Sequence, residues 1–525
     1  MTESYNRILT IVRTDAIFRL RRTSAMITLL IIAASVYLIV PAVETGRTLM
    51  QVEGRRVLYN STAVALGTSM FCSLFVSMCG YYFVSNSFRR DILSRTGFIV
   101  AAAPVTDLEY IVGKFFGSVL YLLAIMLTCM ASAMVMFLLR GEGSLEPLTF
   151  LSIYIAFVVP ALAFSAAIAV AFEALPSLSG RFGDVLYFFV WAGMLGTLAA
   201  YIDKGDGSIW ARMLDYVGIG SIIGMTRDQF HTTSMSIGAS DFNASKPPIF
   251  FPGIEWTWKL ISIRLASLIL PAVLVLATPL WFHRFNPTRI KSLTREGHRN
   301  ILAKINRLLR QITQFIQRLP SSRGRKISLW NAVRADVMTT FVLSPLTVVA
   351  ILVFAILSAA LEVSAMREGL LPVIVVALIL ALADIATRDQ SSRMMSLLCT
   401  APTLKKRYIG WKFVSALIVT LCFTLIPIFR LMLFDMSSAV SLCIGSCFMA
   451  SGAIGLGVLV RNQKLYIALF LMLLYIALNA STDPYFDFAG FLARATTLVK
   501  ISYAFLTILT LFLAHTRYSS LLKKG

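Results

Sequence analysis

The sequence predicts an all-α polytopic membrane protein with about twelve transmembrane helices, arranged as two parallel six-helix repeats with amphipathic cytoplasmic helices. Three observations support this fold class: the composition, a series of long apolar runs and an internal repeat. Hydrophobic residues make up 58% of the 525 residues, charged residues only 14%, and the mean hydropathy is +0.78. About a quarter of the residues in a soluble domain are charged, so this chain is too poor in charge to cover a water-facing surface.

The apolar runs have the length that a bilayer requires. A helix needs about 20 apolar residues to cross the hydrocarbon core. Helices are expected rather than strands because each backbone amide must find its hydrogen bond within the lipid. Twelve runs are predicted as spans: 25–42, 62–84, 115–139, 149–172, 185–201, 262–282, 341–361, 371–387, 411–433, 439–460, 465–480 and 499–515.

The basic residues indicate how these spans are oriented. The chain has 48 Lys and Arg against 26 Asp and Glu, and 13 basic residues lie between residues 284 and 334. Lys and Arg collect in cytoplasmic loops, so residues 284–334 and both termini are predicted to be cytoplasmic. The expected location is a bacterial plasma (inner) membrane. By parity, the long segment 202–261 is external. The same rule accounts for the net charge of +22 without nucleic-acid binding, so the lipid bilayer is the expected partner.

An internal repeat divides the chain. Residues 90–115 and 388–413, offset by 298, share ten identities in 26 positions, and each stretch lies between the second and third span of its half. Residues 12–15 match residues 333–336 at an offset of 321. The first half has a longer loop, 43–61, after its first span. Two copies in one orientation imply an axis along the membrane normal. The predicted parts are a six-span half at 1–283, a basic cytoplasmic linker at 284–328 and a six-span half at 329–525.

Two cytoplasmic segments have an apolar face at helical spacing. In the linker this face runs from Ile301 to Leu319, with basic residues outside it. Such helices lie in the plane of the interface, held by anionic headgroups, or they dock on a cytoplasmic partner. The pattern leaves both alternatives open. In the first 22 residues the face comprises Tyr5, Ile8, Leu9, Val12 and Ala16.

The sequence contains no motif for catalysis, a cofactor or a metal. The phosphate-binding pattern G-x-x-x-x-G-K-[ST] fails around Gly113 and Lys114, H-E-x-x-H is absent, and there are four His in total. Cys443 and Cys447 lie one helical turn apart without a third ligand nearby in the sequence. No catalytic, cofactor or metal site is therefore predicted, and the protein is not expected to be an enzyme.

Ionisable residues are scarce in the middle of the spans. Glu173, Asp184 and Asp384 fall near predicted span ends, where water or headgroups can reach them. A proton-coupled carrier needs ionisable groups within its spans, so this pattern disfavours that class. No polar cluster within the spans identifies a substrate.

The repeated segment resembles part of a known family. Residues 94–115 (SRTGFIVAAAPVTDLEYIVGKF) and 392–413 are similar to the segment between the second and third spans of ABC-2 type transporter permeases. In that family a basic, weakly apolar helix leads into a small residue and Pro, then Tyr, and Gly-Lys-Phe opens the third span. The second copy departs at Gly410, which lies two residues before Lys412 instead of one. The amphipathic N-terminal helix, six spans and external segment also match the family's order.

The resemblance implies the permease subunit of an ABC transporter, an exporter, with two permease halves fused in one chain. Its partners would be two separate ATP-binding subunits per chain, which would hold the ATP and Mg; this chain would bind no cofactor. In the family, the segment between spans two and three is a coupling helix that docks on the ATP-binding subunit. Carried over by position, the coupling residues are Arg90, Asp91, Arg95, Pro104, Lys114, Arg388, Asp389, Arg393, Pro402 and Lys412.

The chemistry of these residues is compatible with that role. Pro104 and Pro402 cannot sit inside a helix without losing a backbone bond, so each is predicted to end a short helix. Arg95 and Arg393 can make bidentate contacts to carboxylates on a partner or lie at lipid headgroups. Two other functions fit the same spans: a secondary carrier with two six-span halves, and a membrane scaffold or assembly protein. A co-purifying ATPase would favour the permease, and uptake driven by an ion gradient would favour the carrier.

Overall fold

The computed structural model describes most of the chain outside the basic linker. The linker at 284–328, Arg95 and Arg393 lie outside the described residues. The chain forms two compact units, Met1–Glu296 and Gly297–Gly525. The described residues are 2–94, 96–175, 178, 180–204, 213–230, 235–282, 329–392, 394, 400, 402–460, 462–479 and 484–524.

The first unit consists mainly of helices, with a small antiparallel sheet whose strand order is β2-β1-β3. The strands are β1 (Arg47–Val52), β2 (Arg55–Arg56) and β3 (Met235–Asp241). Its described helices are α1 (Thr2–Leu20), α2 (Thr23–Ile39), α3 (Ser61–Val84), α4 (Ser87–Leu93), α5 (Thr96–Ala102), α6 (Asp107–Arg140), α7 (Pro147–Ala174), α8 (Arg181–Lys204), α9 (Ile219–Phe230) and α10 (Trp258–Leu280).

The second unit is also mainly helical, and its described residues contain no strand. Like the first unit, it begins with a helix that leads into an apolar helix at a sharp bend. Its described helices are α11 (Leu329–Leu343), α12 (Pro345–Ala360), α13 (Val363–Leu382), α14 (Arg388–Ser391), α15 (Pro402–Lys406), α16 (Tyr408–Phe434), α17 (Met436–Val460), α18 (Gln463–Asn479) and α19 (Thr497–Lys524).

Eight described helices are long and apolar enough to cross a membrane, and the number rises to ten if two bent pairs each count as one span. The bent pairs are α1 with α2, at 70°, and α11 with α12, at 92°. Each of the twelve predicted runs contains a helix, but the apolar helices Phe182–Gly196 and Gln463–Asn479 are shorter than a standard span. The architecture is that of an all-α polytopic membrane protein with eight to ten helices of spanning length.

In the first unit, α1 lies along α6, and two glycines permit the close approach. A Cβ atom added at Gly113 would lie 2.7 Å from Ile11, and one at Gly117 would lie 3.0 Å from the Cβ of Asp15. Small residues let helix backbones approach in this way. The buried face of α1 thus includes the charged residue Asp15, whereas Tyr5 and Leu9, predicted on its apolar stripe, are 66% and 49% exposed.

The small sheet joins two loops that are far apart in sequence. Strand β1 lies between α2 and α3, and it pairs antiparallel with β3, so that Arg47 faces Asp241. The Arg47 Nε and Asp241 Oδ1 atoms are 3.2 Å apart. The sequence predicted loops here and no strands. The sequence assigns both loops to the same side of the membrane, and their pairing is compatible with that assignment.

An arginine caps the end of the first apolar helix in each unit. Arg140, at the end of α6, donates to the carbonyl of Tyr37 in the last turn of α2 (3.4 Å). Arg430, near the end of α16, donates to the carbonyl of Ser358 in the last turns of α12 (2.6 Å). Carbonyls at a helix C-terminus lack intrahelical donors, and a cation there also favours the helix dipole. The two units therefore share a contact that their sequence alignment does not reveal.

Candidate functional site

The predicted coupling segments form short helices in both units. Helices α4 and α5 lie between α3 and α6, and helices α14 and α15 lie between α13 and α16. Pro104 follows the end of α5 and lies in the turn before α6, as predicted. Pro402 is the first residue of α15, and residues 395–399 and 401 before it lie outside the described residues, so the prediction that it ends a short helix stays a prediction. Proline is tolerated at this position because the first N–H of a helix has no intrahelical partner.

Contacts with longer helices fix the position of α4. Glu173, near the end of α7, accepts hydrogen bonds from the backbone amides of Ser87 (2.9 Å) and Phe88 (2.8 Å) in the first turn of α4. A carboxylate is favourable at a helix N-terminus. The Phe88 ring packs in a buried cluster with Tyr110 of α6 and Val275 of α10. Helix α4 is therefore anchored on α6, α7 and α10, and Glu173 acts as an anchor.

A buried ion cluster joins α4 to α1 and α6. The Asp15 Oδ1 atom accepts from Arg90 Nη2 (2.5 Å) and Lys114 Nζ (3.0 Å), and Asp15 Oδ2 accepts from Arg19 Nε (2.6 Å). Lys114 Nζ also lies 2.7 Å from Asp91 Oδ2. The side chains of Asp15 and Lys114 are 1% and 6% exposed. These five residues are the first cluster, in which one carboxylate bonds to a cation from each of three helices.

The second unit contains a matching group, the second cluster, which comprises Asp336, Arg388, Asp389 and Lys412. The Asp336 Oδ1 atom accepts from Arg388 Nη2 (2.7 Å) and Lys412 Nζ (2.8 Å). Lys412 Nζ also lies 2.8 Å from Asp389 Oδ2, and its side chain is 0% exposed. The helices joined are α11, α14 and α16, which occupy the same places in the order of the second unit.

A tyrosine completes both clusters. The Tyr110 hydroxyl donates to Asp91 Oδ2 at 2.8 Å, and the Tyr408 hydroxyl donates to Asp389 Oδ2 at 2.9 Å. Two sequence matches with different offsets, 298 and 321, thus contribute to one arrangement in each unit. The corresponding pairs are Asp15/Asp336, Arg90/Arg388, Asp91/Asp389, Tyr110/Tyr408 and Lys114/Lys412.

The charges around Asp15 determine its ionisation state. Burial alone would raise the pKa of this carboxyl group. Arg19, Lys114 and Arg90 outweigh the effect of burial and hold the pKa of Asp15 well below its usual range. The carboxylate therefore stays ionised at physiological pH, and the ion pairs that join the three helices persist.

The structure places six of the ten predicted coupling residues in the two clusters, three in each. Pro104 is exposed in its turn, Pro402 begins α15, and Arg95 and Arg393 lie outside the described residues. Lys114 and Lys412 are enclosed by their own chain, so any part they play in binding a partner is indirect. The six residues within the clusters are Arg90, Asp91, Lys114, Arg388, Asp389 and Lys412.

Sequence reasoning missed the residues at the centre of each cluster. Asp15 and Asp336 end the two matched tetrapeptides at 12–15 and 333–336, and that match is the signal that could have identified them. Arg19, which has no counterpart in that match, was also missed. The shared aspartate is the only acid in either tetrapeptide. Ion pairing with the repeated Arg and Lys residues could therefore have been predicted for it.

Other buried charges lie outside the clusters. Arg264 of α10 donates through Nη2 to Asp215 Oδ2 (3.1 Å), and this buried pair organises the segment before α9. Neither residue was predicted to have a role. Asp184 of α8 is 1% exposed and accepts from the Tyr81 hydroxyl (3.4 Å), so the interpretation of Asp184 as a water-accessible boundary charge is wrong.

Neither a metal site among the described residues nor a similar protein assigns a function to the clusters. Within the described ranges, no group of three His, Cys, Asp or Glu side chains could hold a metal ion. Comparison of the chain with known protein families, with curated proteins and with solved structures found no match. The geometry of the two clusters is therefore the main guide to function.

Proposed function

We propose that the protein is the permease subunit of an ABC transporter, an exporter in a bacterial plasma membrane with two ABC-2-like halves in one chain. Separate ATP-binding subunits would dock at α4–α5 and at α14–α15, and alternating access would follow their ATP cycle. The observation that carries the proposal is the pair of matching ion clusters. In each, a short helix is bonded to the N-terminal helix of its unit and to the long helix that follows.

Such clusters suit an element that transmits movement. Separating α4 from α1 or α6 would leave buried charges without partners, and breaking a buried ion pair costs roughly 3–5 kcal/mol. A displacement of α4 by a partner would therefore carry α1 and α6 with it. In this proposal the buried lysines Lys114 and Lys412 connect the helices, and they do not themselves touch the partner.

In this proposal, exposed residues of the same segments form the docking surface. Ile99 on α5 is 71% exposed, and Met394, after α14, is 47% exposed. Exposed apolar residues on short cytoplasmic helices are the kind of anchor that a protein interface buries at its centre. Arg95 and Arg393 would add charged contacts around these anchors.

The proposed topology has twelve spans, with both termini and residues 284–334 in the cytoplasm. Eight long helices, two bent pairs and two shorter apolar helices would together make twelve crossings. The pairing of β1 with β3 supports this arrangement, because both strands lie in segments assigned to the external side. The bends at 70° and 92° suit a helix in the interface plane that leads into a span.

The decisive experiment is charge reversal at the two proposed docking helices. In an Arg95→Glu/Arg393→Glu variant, like charges would face the carboxylates of the partner, which typically costs several kcal/mol at an interface. The variant should reach the membrane in normal amounts but recover little ATPase when the tagged chain is purified from native membranes. Mass spectrometry of the co-purified proteins for a Walker-motif ATPase measures this outcome.

An Arg55→Glu/Arg494→Glu variant provides the matched control, because it makes the same charge change on the proposed external side. The control should retain the ATPase. If the Arg95→Glu/Arg393→Glu variant also retains it, α4–α5 and α14–α15 are not the docking helices. If no ATPase accompanies the wild-type chain, a secondary carrier or a scaffold protein becomes the better explanation.

A further inference from the structure

The corner between α1 and α2 brings two arginines to one exposed aromatic ring. The guanidinium carbons of Arg22 and Arg90 lie 4.7 and 4.4 Å from the centroid of the Phe18 ring. The Phe18 side chain is 48% exposed, and Arg22 is also exposed. Arg22 therefore lies at the surface where the chain turns from α1 into α2, and the Arg90 side chain, 21% exposed, contacts the same ring.

This corner has more positive charge than its carboxylates neutralise. Among the described residues, no carboxylate forms an ion pair with Arg22, and Asp15 is already bonded to three other cations. Partial burial and the neighbouring Arg90 and Arg19 guanidiniums lower the pKa of Arg22, as repulsion between like charges should. An anion bound between the cations would relieve this repulsion. Two carboxylates, Asp15 and Asp91, face four cations: Arg19, Arg22, Arg90 and Lys114.

The start of α2 adds a second attraction for anions. Arg22 is the N-cap residue of this 17-residue helix, and its side chain makes no capping hydrogen bond to the first turn. The first amides of a helix have no intrahelical acceptor, and the helix dipole makes this end positive. Guanidiniums together with helix amides are well suited to hold a phosphate group.

Exposed apolar side chains on both helices indicate that the anion belongs to a lipid. Leu9 and Ile17 on α1 are 49% and 39% exposed, and Met26 and Leu30 on α2 are 60% and 70% exposed. An amphipathic helix lies at the depth of the headgroups, and an apolar span extends from there among the acyl chains. A phospholipid would place its phosphate at the arginines and its acyl chains beside α2.

The second unit lacks these features at the matching positions. At the offset of 321, Phe18, Arg19 and Arg22 correspond to Thr339, Thr340 and Leu343, respectively. The first residue of α12 is Pro345, which has no N–H to offer an anion. In the second cluster, two cations balance two carboxylates.

We propose that the corner of α1 and α2 binds the phosphate of an anionic phospholipid, through Arg22, Arg90 and the first amides of α2. The corresponding described positions of the second unit form no equivalent site. Binding at this corner does not depend on whether the protein is a transporter, so the proposal can fail or succeed independently of the proposed function.

Native mass spectrometry of the full-length chain in detergent tests the proposal. The chain is titrated with dioleoyl phosphatidylglycerol, and the dissociation constant of the first bound lipid is measured. Arg22→Gln removes a charge-assisted contact and should weaken this binding about tenfold. Arg13→Gln is the matched control, because Arg13 is an exposed arginine on the preceding helix, α1, and the change in charge is identical.

Several outcomes would overturn the proposal. One is an equal loss of phosphatidylglycerol binding in the Arg22→Gln and Arg13→Gln variants, since charge alone would then explain the effect. Another concerns inorganic phosphate: if it raises the unfolding temperature of the wild-type chain as much as phosphatidylglycerol does, the site binds free phosphate. Equal binding of dioleoyl phosphatidylcholine would show that net negative charge is not recognised. Size-exclusion chromatography of each variant verifies that it is folded before the titration.

Discussion

The first and second clusters share five residues but differ in what surrounds them. In the first cluster, Arg19 adds a cation that also donates to the carbonyl of Val84 (2.9 Å) at the end of α3. Thr340 stands in that place in the second cluster, and its hydroxyl accepts from Arg388 (3.2 Å). The first cluster therefore joins four helices and has excess positive charge, whereas the second joins three and is balanced. The five shared pairs of residues form a joint between helices that both units have, whereas Arg19 belongs to the first unit alone.

The packing around the two joints also differs. Gly113 and Gly117 let α1 approach α6, whereas Trp411 and Ser415 occupy the corresponding positions in α16. Helix α7 packs mainly against α3, whereas its counterpart α17 packs to a similar extent against α19 and α16. The ion contacts are kept although the helix interfaces around them have changed. This comparison indicates that the joint itself, more than the surrounding packing, is what the two units have in common.

Removing the central carboxylate should cause the largest loss of stability. The loss should be greater in the first unit than in the second. Asp15→Asn leaves the three cations of the first cluster with one carboxylate, Asp91, and Asp336→Asn leaves the two cations of the second cluster with one carboxylate, Asp389. Breaking a buried ion pair costs roughly 3–5 kcal/mol, and Asp15→Asn should lie at the upper end of this range. Thermal unfolding in detergent measures both losses. Asp228→Asn, an exposed control, should leave the midpoint unchanged; a matching loss there would contradict this prediction.

Removing the lysine should destabilise the second unit more than the first, which is the reverse of the order expected for the central aspartates. Lys412→Met leaves Asp336 with Arg388 alone, and a loss of roughly 2–3 kcal/mol is expected for a hydrogen-bonded charge in this setting. Lys114→Met should cost less, because Asp15 keeps both Arg19 and Arg90. The unfolding midpoints of the two variants measure the difference. A greater loss for Lys114→Met would show that Arg19 does not compensate.

Acid should weaken the first unit through Asp15. Because the pKa of Asp15 is lower in the folded chain than in the unfolded chain, its stabilising contribution is complete above about pH 4. That contribution is lost as the pH falls from there towards the folded pKa. Wild-type protein should therefore lose stability more steeply below about pH 4 than the Asp15→Asn variant, which lacks this carboxyl group. Parallel acid-unfolding curves for the two proteins would refute the assignment.

The smallest effect is expected at the tyrosines, and it should be the same in both units. Tyr110→Phe and Tyr408→Phe each remove one hydroxyl that donates to an aspartate, at 2.8 and 2.9 Å. A hydrogen bond to a charged group contributes about 1.5 kcal/mol at the low end of its range, and each aspartate keeps its lysine. Unequal shifts in the two unfolding midpoints would show that the joints are less alike than their contacts indicate.

The sequence predicted the helical membrane architecture and the positions of the repeated segments, because both depend on local patterns. The number of spans was harder to predict. The run at 185–201 and the run at 465–480 correspond to short apolar helices, and bends separate α1 from α2 and α11 from α12. Composition alone does not distinguish a bent pair from a straight span. The sheet was missed because Arg47 and Asp241 are 194 residues apart, and short strands leave a weak signal.

The sequence predicted where the candidate site residues lie along the chain but not that their side chains are buried. A basic residue on a cytoplasmic helix gives the same sequence pattern whether it faces a partner or its own chain. Lys114 is buried because α1 folds over α6, and its partner Asp15 is 99 residues away. That contact depends on the glycines at 113 and 117, whose role becomes evident only when the two helices are placed together.

The arginine caps at the ends of α2 and α12 have a consequence for synthesis. The carbonyl of Tyr37 precedes Arg140 by 103 residues, and that of Ser358 precedes Arg430 by 72 residues. As the chain leaves the ribosome, the first apolar helix of each unit is therefore incomplete until the long helix with its arginine has followed. A nascent chain stopped after α3 should stay cross-linked to the membrane insertion machinery, and one stopped after α6 should be released. Equal cross-linking of both nascent chains would show that the first helix is inserted on its own.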